Sequence, residues 1–249
     1  EGNNMKIAVL LKWVPDLVEE LEVDDDGIGI DTDDLKFKLN EFDDHALEEA
    51  LQIANDGDEV VAIAIDGDGT EKMLYTAIAK GASSGIRLTG GSNSNTANLA
   101  AGFATALDGG NYDLILTGVQ SVDDLDGQLG PILAANMGLP CVSVVSSLNV
   151  SGGVATVTKE YSGGIVAEFE VDLPAVLGIQ AARETPRYAP VSKIRQVQQS
   201  TDLAEKSVSG SSTSGTIITA MSEPETGGGA KMLDDVEDLI EILKGLGVS

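Results

Sequence analysis

Residues 112–139 read YDLILTGVQSVDDLDGQLGPILAANMGL. A short apolar run, Tyr112 to Thr117, has the composition of a buried strand. A loop follows from Gly118 to Pro131, and the apolar run from Ile132 to Leu139 reads as a helix. Strand, loop and helix in that order are the repeating unit of a parallel α/β sheet. A loop in that place often cradles a phosphate, because backbone N–H groups at glycines and at a helix start attract anions. Gly127 and Gly130 suit that role. Asp123, Asp124 and Asp126 oppose it, and the sequence thereby asks what an acidic loop does at an anion-binding position.

The same unit recurs on both sides. KIAVLLK near the start is short and apolar, as a central parallel strand is. Residues 42–55 place Phe42, Ala46, Leu47, Ala50, Leu51 and Ile53 mostly on one helical face. EVVAIAI, GIRLT and CVSVV read as strands; TEKMLYTAIAKGA, NTANLAAGFATALD and residues 128–138 read as helices. The alternation predicts an α/β fold: a doubly wound, mostly parallel sheet with helices on both faces and right-handed crossovers. After residue 146 the pattern changes. LNVSGGVATVTKEY and GIVAEFEVDLPAVLGIQ read as antiparallel strands joined by Gly-Gly turns. From Ser200 to Gly229 the chain is rich in Ser, Thr, Gly and Glu, an arm with little to bury. It ends in an amphipathic helix with Met232, Leu233, Val236, Leu239, Ile240 and Leu243 on one stripe. The expected division is an α/β domain over 5–199 and a C-terminal arm with a docking helix over 200–249.

Composition narrows the function. Eleven Lys and four Arg face 41 acidic residues, a net charge of −26, which excludes nucleic acid and anionic membranes as partners because both require a basic face. The acid is spread along the chain, as on a solvated surface in a salt-rich cytoplasm where screening removes self-repulsion, and the expected source is an extreme halophile. No apolar run reaches the roughly 20 residues that cross a bilayer. Met5-Lys6 leads directly into the first strand, without a signal-like start, and the four residues before it read as a tag remnant or short extension. The expected location is cytoplasmic. Cys141 is the only cysteine, so no internal disulfide forms; behind Pro140 at a strand head it reads as buried filler.

Other candidate motifs have plainer readings. Glu22, Asp24, Asp26 and Gly27 resemble the start of a calcium loop, but the flanks are β-like and Gly29 stands where an apolar residue belongs, so an Asp-Gly hairpin turn is the better reading. IDGDGT at 65–70 gives two glycines of a dinucleotide fingerprint, with Lys72 at the third position; a tight turn with Thr70 near the N-cap explains it equally well. His45, the only histidine, sits in an acidic helix beside Asp44 and Glu48 and reads as solvated or capping. A zinc site is not expected. There is no GxSxG elbow, P-loop or CxxC, hence no nucleophile of the chain's own.

Four markers in order then carry a resemblance: KWVPD at 12–16, NEFDDHALEEAL at 40–51, GVQSVDDLDGQLGP at 118–131, and LPAVLGIQAARETPRYAPVSKI at 173–194. With these, nearly the whole chain resembles the beta subunit of electron transfer flavoproteins, including the Fix-type members. The resemblance implies an adenine-nucleotide alpha-hydrolase-like sheet and a heterodimer with an alpha subunit, which holds most contacts to an FAD while the beta subunit closes over it. It implies a nucleotide in the beta subunit itself, AMP or a second FAD. Its matching positions are Leu10, Asn40, Glu41, Phe42, Asp43, Ile65 and Asp66. They continue along the loop through Gly118, Gln120, Val122, Asp123, Asp124, Asp126, Gly127, Gln128, Leu129 and Gly130, with phosphate at the backbone of Gly127 to Leu129. AMP-binding members typically have Asn and Thr where Gly127 and Leu129 stand, and the Gln-x-Gly-Pro ending and Val-Pro-Asp look more like the FAD-binding Fix-type branch. Phe42 and the segment near Leu17 match positions approaching the flavin held by the alpha subunit. Arg187, Tyr188, Ala189, Pro190 and Val191 match the segment that anchors donor dehydrogenases, with Val191 as an apolar plug. The implied role is an electron carrier, not an enzyme by its own side chains, with a quinone-reducing or ferredoxin-type acceptor. The alternatives are a stand-alone adenine-nucleotide-binding, stress-protein-like module and a dehydrogenase; the broken glycine fingerprint and missing acid–base pair weigh against the last.

Overall fold

The computed structural model describes residues 4–91, 95–208, 215–224, 227–230 and 232–247. Three residues of the extension before Met5, residues 209–214 and 225–226 of the arm, and Lys231 before the last helix lie outside the described residues. In chain order the elements are β1 (Lys6–Leu10), β2 (Trp13–Pro15), β3 (Phe37–Leu39), α1 (Glu41–Ile53), β4 (Glu59–Ile65), α2 (Thr70–Lys80), β5 (Ser84–Thr89), α3 (Thr96–Leu107) and β6 (Leu114–Gly118). Then follow α4 (Leu129–Met137), β7 (Cys141–Val145), β8 (Ser147–Ser151), β9 (Val154–Tyr161), β10 (Ile165–Asp172), β11 (Ala175–Ile179), α5 (Val191–Ser200), β12 (Ala204–Ser207) and α6 (Val236–Gly245).

The main sheet has seven strands in the order β12-β5-β4-β1-β6-β11-β7, and every pairing is parallel. This is the α/β fold that the alternation predicts. Side chains of β1 alternate between two cores, as the two-residue strand period requires. Ile7 and Val9 join a cluster with Leu47 and Ala50 of α1 and Met73 and Leu74 of α2. Ala8 and Leu10 join the opposite cluster with Phe103 of α3 and Leu133 of α4. Truncating a fully buried member such as Leu116 to Ala would cost about 2–5 kcal/mol, the range for large-to-small changes in a core.

Besides the short antiparallel pair β2–β3, which the sequence reading does not include, two strands differ from it. β11 is parallel and lies between β6 and β7 in the main sheet; of the strands after residue 146 only β8, β9 and β10 form an antiparallel sheet. The reason is burial on both faces. Ala175 to Ile179 are all buried, as in a central parallel strand, whereas β10 has a mostly exposed pattern. The second difference is β12, which pairs with β5 at the edge of the sheet inside a stretch that reads as arm. Its polar sequence AEKS suits an edge.

The chain divides into two compact units, one comprising 1–21 with 32–217, the other 22–31 with 218–249. In the second, Gly27 at φ 68° turns the Asp-Gly hairpin, Val23 bridges Ile30, and the Met221 N–H donates to the Gly27 carbonyl at 2.7 Å. α6 is N-capped by Asp235, whose side chain accepts from the Asp238 N–H at 3.0 Å. Among the described residues no helix is long and apolar enough to cross a membrane.

Candidate functional site

β1 is flanked by β4 on one side and β6 on the other. The chain winds from β1 to β4 and β5, then returns to place β6 on the far side, so the winding reverses between β1 and β6. A crevice opens at the carboxyl ends of strands at such a reversal, and ligands of open α/β sheets bind there. The loop 118–130 leaves β6 at this point.

Asp43 of α1 fastens the crevice from below. Its Oδ2 accepts from the Lys12 N–H at 2.8 Å just beyond β1, and its Oδ1 accepts from the Gly118 N–H at 3.0 Å at the end of β6. Burial pushes the Asp43 carboxyl up to about 7, against the pull of Asn40, the two amides and Lys12. Asn40, at the N-cap position and fully buried, donates its Nδ2 to the Gln120 carbonyl at 2.9 Å. The Asn40 Oδ1 and the Thr117 Oγ1 are buried without a hydrogen-bond partner among the described residues. Buried polar atoms normally have one.

The three loop aspartates are turned onto internal partners. The Lys12 ammonium donates to Ser121 Oγ at 3.0 Å, Asp123 Oδ1 at 2.9 Å and Asp124 Oδ2 at 2.8 Å. Burial works against the Lys12 charge, but Coulombic attraction to Asp123 and hydrogen bonds with both aspartates prevail and raise its pKa. Burial likewise opposes the Asp124 charge, and hydrogen bonds from Lys12 and Ser121 outweigh it and lower its pKa. Asp126 accepts from the Gln128 N–H at 3.0 Å and from Thr96 Oγ1 at 2.6 Å. The N–H groups of Leu129 and Gly130, in the first turn of α4, have no internal acceptor among the described residues. Gly127 adopts φ 62°, a left-handed conformation that side chains resist. A cavity of about 360 Å3, lined by Leu11, Lys12, Trp13, Phe37, Ile65 and Leu99 among others, opens beside the loop. It shares Lys12 and Leu99 with a smaller cleft against Gly118, Asp124, Gly127 and Leu129. The volume lies in the ~300–1,000 Å3 range of small-ligand sites.

A second feature lies at the far end of α1. Glu48 accepts from the Arg187 N–H at 3.0 Å and from its Nε and Nη2 at 2.9 Å each. Glu49 accepts from the Arg183 N–H at 3.1 Å and its Nε at 2.9 Å. Burial raises the Glu48 carboxyl, but hydrogen bonds from Arg187 and Gln52 prevail and bring it to about 2. Beyond this anchor Ala189 is buried, while Tyr188 is 80% and Val191 56% exposed, which leaves two large apolar side chains projecting at the start of α5.

A family model described as the electron transfer flavoprotein domain matches residues 28–204. The chain belongs to the electron transfer flavoprotein family. An electron transfer flavoprotein subunit beta from Methylophilus methylotrophus is 33% identical over 199 residues, 77% of this chain and 75% of that protein. The mitochondrial subunit beta of Arabidopsis thaliana is 32% identical over 246 residues, 96% of this chain and 98% of the relative. The subunit beta of Dictyostelium discoideum is 27% identical over 245 residues, covering 97% and 98%. The chain is a beta-subunit member of the family.

Within this electron transfer flavoprotein chain, the residues singled out in the sequence fall into groups. Asp43, Gly118, Gln120, Asp124, Asp126, Gly127, Gln128 and Leu129 line one cleft, and Ile65 lines the adjoining cavity. Asn40 stands behind the loop through its bond to the Gln120 carbonyl, and Asp123, within the loop, is held by Lys12. Gly130 is buried in the first turn of α4, Leu10 in the core, and Phe42 and Val122 are half-buried. Glu41 and Asp66 face solvent, Asp66 lying 3.7 Å from Arg87. Sequence reasoning missed Lys12 and Thr96, the partners of the loop aspartates, and Glu48 and Glu49. Lys12 stands in the KWVPD marker, and a lone cation there was the available signal. His45 differs from its solvated or capping reading: half-buried, it accepts the Ala182 N–H at Nδ1, 3.2 Å away, because α1 packs against the segment after β11. Among the described residues no cluster of His, Cys, Asp or Glu could hold a metal ion.

Proposed function

We propose that the chain is the beta subunit of a heterodimeric electron carrier, relaying electrons from donor dehydrogenases to a quinone-reducing or ferredoxin-type acceptor in the cytoplasm. An alpha subunit and this chain hold an FAD between them, with Phe42 and the segment near Leu17 on the flavin side and the C-terminal arm docked on the partner. The chain's own crevice takes an adenine nucleotide, AMP or a second FAD. The observation that carries this is the disposition of the loop: Lys12 and Thr96 engage the aspartates, and the Leu129 and Gly130 amides remain available to a phosphate at a helix start. The orphaned Asn40 Oδ1 and Thr117 Oγ1 fit a site that a polar ligand or water completes.

Bound flavin supplies the redox chemistry. The chain's residues bind, orient and shield: Leu10, Ile65 and Asp66 at the base end, Asn40, Glu41 and Asp43 beneath, and Gly118 to Gly130 along the phosphates. Tyr188 and Val191 give a donor dehydrogenase an apolar anchor on an acidic protein, so buried area rather than charge holds it. Purification with a co-expressed alpha subunit, followed by extraction of bound nucleotides, tests the reading. It predicts a stable pair with flavin absorbance; one flavin plus AMP per pair selects AMP, and two flavins select FAD. No complex and no flavin would refute it, and nucleotide binding by the chain alone without a partner would favour the stand-alone module.

A further inference from the structure

Segment 182–189 makes no helix or strand, so its backbone donors need partners elsewhere. Three of them, at Ala182, Arg183 and Arg187, find them on one helix. His45, Glu48, Glu49 and Gln52 recur at the i, i+3, i+4, i+7 spacing that defines one face of α1. His45 accepts the Ala182 N–H, Glu49 the Arg183 N–H and Glu48 the Arg187 N–H. The two arginine side chains return to the same carboxylates, and Gln52 Nε2 donates to Glu48 at 3.2 Å. Each glutamate thus holds both the main chain and the side chain of its arginine. At the upstream end, a register shift between β7 and β11 at Gly178/Ile179 sets the exit of the strand, and the Gln180 N–H donates to the Val145 carbonyl at 2.8 Å. Pro186 and Pro190 fix two further φ angles.

These carboxylates are nearly inaccessible, with Glu49 at 0% and Glu48 at 5% exposure. Buried ion pairs add little net stability over an apolar filling, since desolvation offsets attraction. What they specify well is one geometry, because a fork of donors on a carboxylate tolerates little displacement. Immediately beyond the anchors stand exposed Tyr188 and Val191 on buried Ala189.

We infer that Glu48 and Glu49 are positioning residues for partner docking: from α1 they preset the conformation of 182–190, so that Tyr188 and Val191 meet a partner protein as a ready-formed apolar projection. The inference rests on the docking role proposed above for Arg187 to Val191. Its physical content is preorganisation: apparent affinity falls in proportion to the fraction of molecules that hold the binding conformation.

The test uses the alpha–beta heterodimer and, as varied substrate, the purified dehydrogenase that reduces the wild-type heterodimer. Glu48→Gln removes the charge and keeps the shape. Arg183→Gln removes the partner of Glu49 from a half-exposed position outside the docking residues and keeps the test valid if the first variant fails to fold. The expected result is a KM for the dehydrogenase raised about fivefold or more in both, the consequence of a docking conformer populated in a fifth of molecules or fewer. Unchanged kcat, full flavin content and faster hydrogen exchange at the Arg183 and Arg187 amides accompany it. An unchanged KM in both variants, with Val191→Ala still raising it, overturns the positioning role and leaves docking intact. A fall in kcat and flavin content together, with KM unchanged, also overturns it. If Val191→Ala and Tyr188→Ala leave KM untouched, the docking reading itself falls and the inference with it.

Discussion

The Asp43 carboxylate accepts the Gly118 N–H at 3.0 Å, and Gly118 is the residue that lets it approach. A Cβ at position 118 would overlap Asp43 Oδ1 and lie 2.8 Å from the Phe42 Cβ and 2.9 Å from the Asp43 nitrogen. The end of β6 therefore closes on the start of α1 only without a side chain. Gly118→Ala should destabilise the fold by about 1–3 kcal/mol, the usual range for overpacking a core. Urea unfolding should show a lower midpoint at unchanged slope; an unmoved midpoint would mean that the strand end and helix start can separate freely.

Asp43 also predicts a pH dependence of unusual sign. Its folded pKa of about 7 lies above the ordinary 3.8, so the folded state binds the proton more tightly than the unfolded chain. The contribution to stability is fully present below about 4 and is lost as pH rises through about 7. Paired carboxylates such as Glu48, brought to about 2, act in the opposite sense below 4.5, so the two windows separate. The unfolding free energy of wild type minus that of Asp43→Asn should fall between pH 5 and 7.5. A flat difference curve would place the Asp43 titration elsewhere.

What the sequence revealed and hid follows from distance along the chain. The strand–loop–helix units are local, and β1, β4, β5, β6 and β7 are legible from short apolar runs. β11 is an apolar run of the same kind, but its neighbours β6 and β7 are set by tertiary pairing, which local periodicity does not encode. β12, AEKS, carries no apolar signal. In the site, Gly127 and the aspartates announce the loop, whereas their partner Lys12 lies more than a hundred residues away. Glu48 and Glu49 are equally remote from Arg183 and Arg187. In a chain of 41 acidic residues and only four arginines, two arginines spaced by four were a signal that composition alone could not direct to a partner.

Lys12 gives the sharpest test of the acidic loop. Removing its ammonium leaves Asp123 and Asp124 without the cation that both contact. Like charges at this spacing repel, and a charge-assisted hydrogen bond is worth about 1.5–3 kcal/mol. Lys12→Met should therefore lower the affinity of the heterodimer for its beta-subunit nucleotide by about tenfold or more, read by calorimetry with AMP and with FAD in turn. Molar KCl should recover part of the loss, since screening relieves the repulsion. An affinity equal to wild type would show that the aspartates do not need Lys12 to keep the loop open to phosphate.

Salt should also act on the whole molecule, and two opposing effects decide the direction. Salt weakens exposed ion pairs such as Lys36–Glu19 and Lys38–Asp16, which contribute little to begin with because solvent already screens them. It also screens repulsion among 41 acidic residues offset by only 15 basic ones. Most acidic groups have no cation to lose, so the repulsive contribution dominates. The screening length shrinks from about 10 Å at 0.1 M to about 3 Å at 1 M. The melting temperature should consequently rise across this range of KCl and level off once the charges no longer sense one another. Equimolar sucrose-matched controls separate this from solute exclusion. A Tm that stays flat or falls as KCl is added would mean that the acidic surface is tolerated at low salt, and that ion pairs, not repulsion, set the electrostatic balance of the fold.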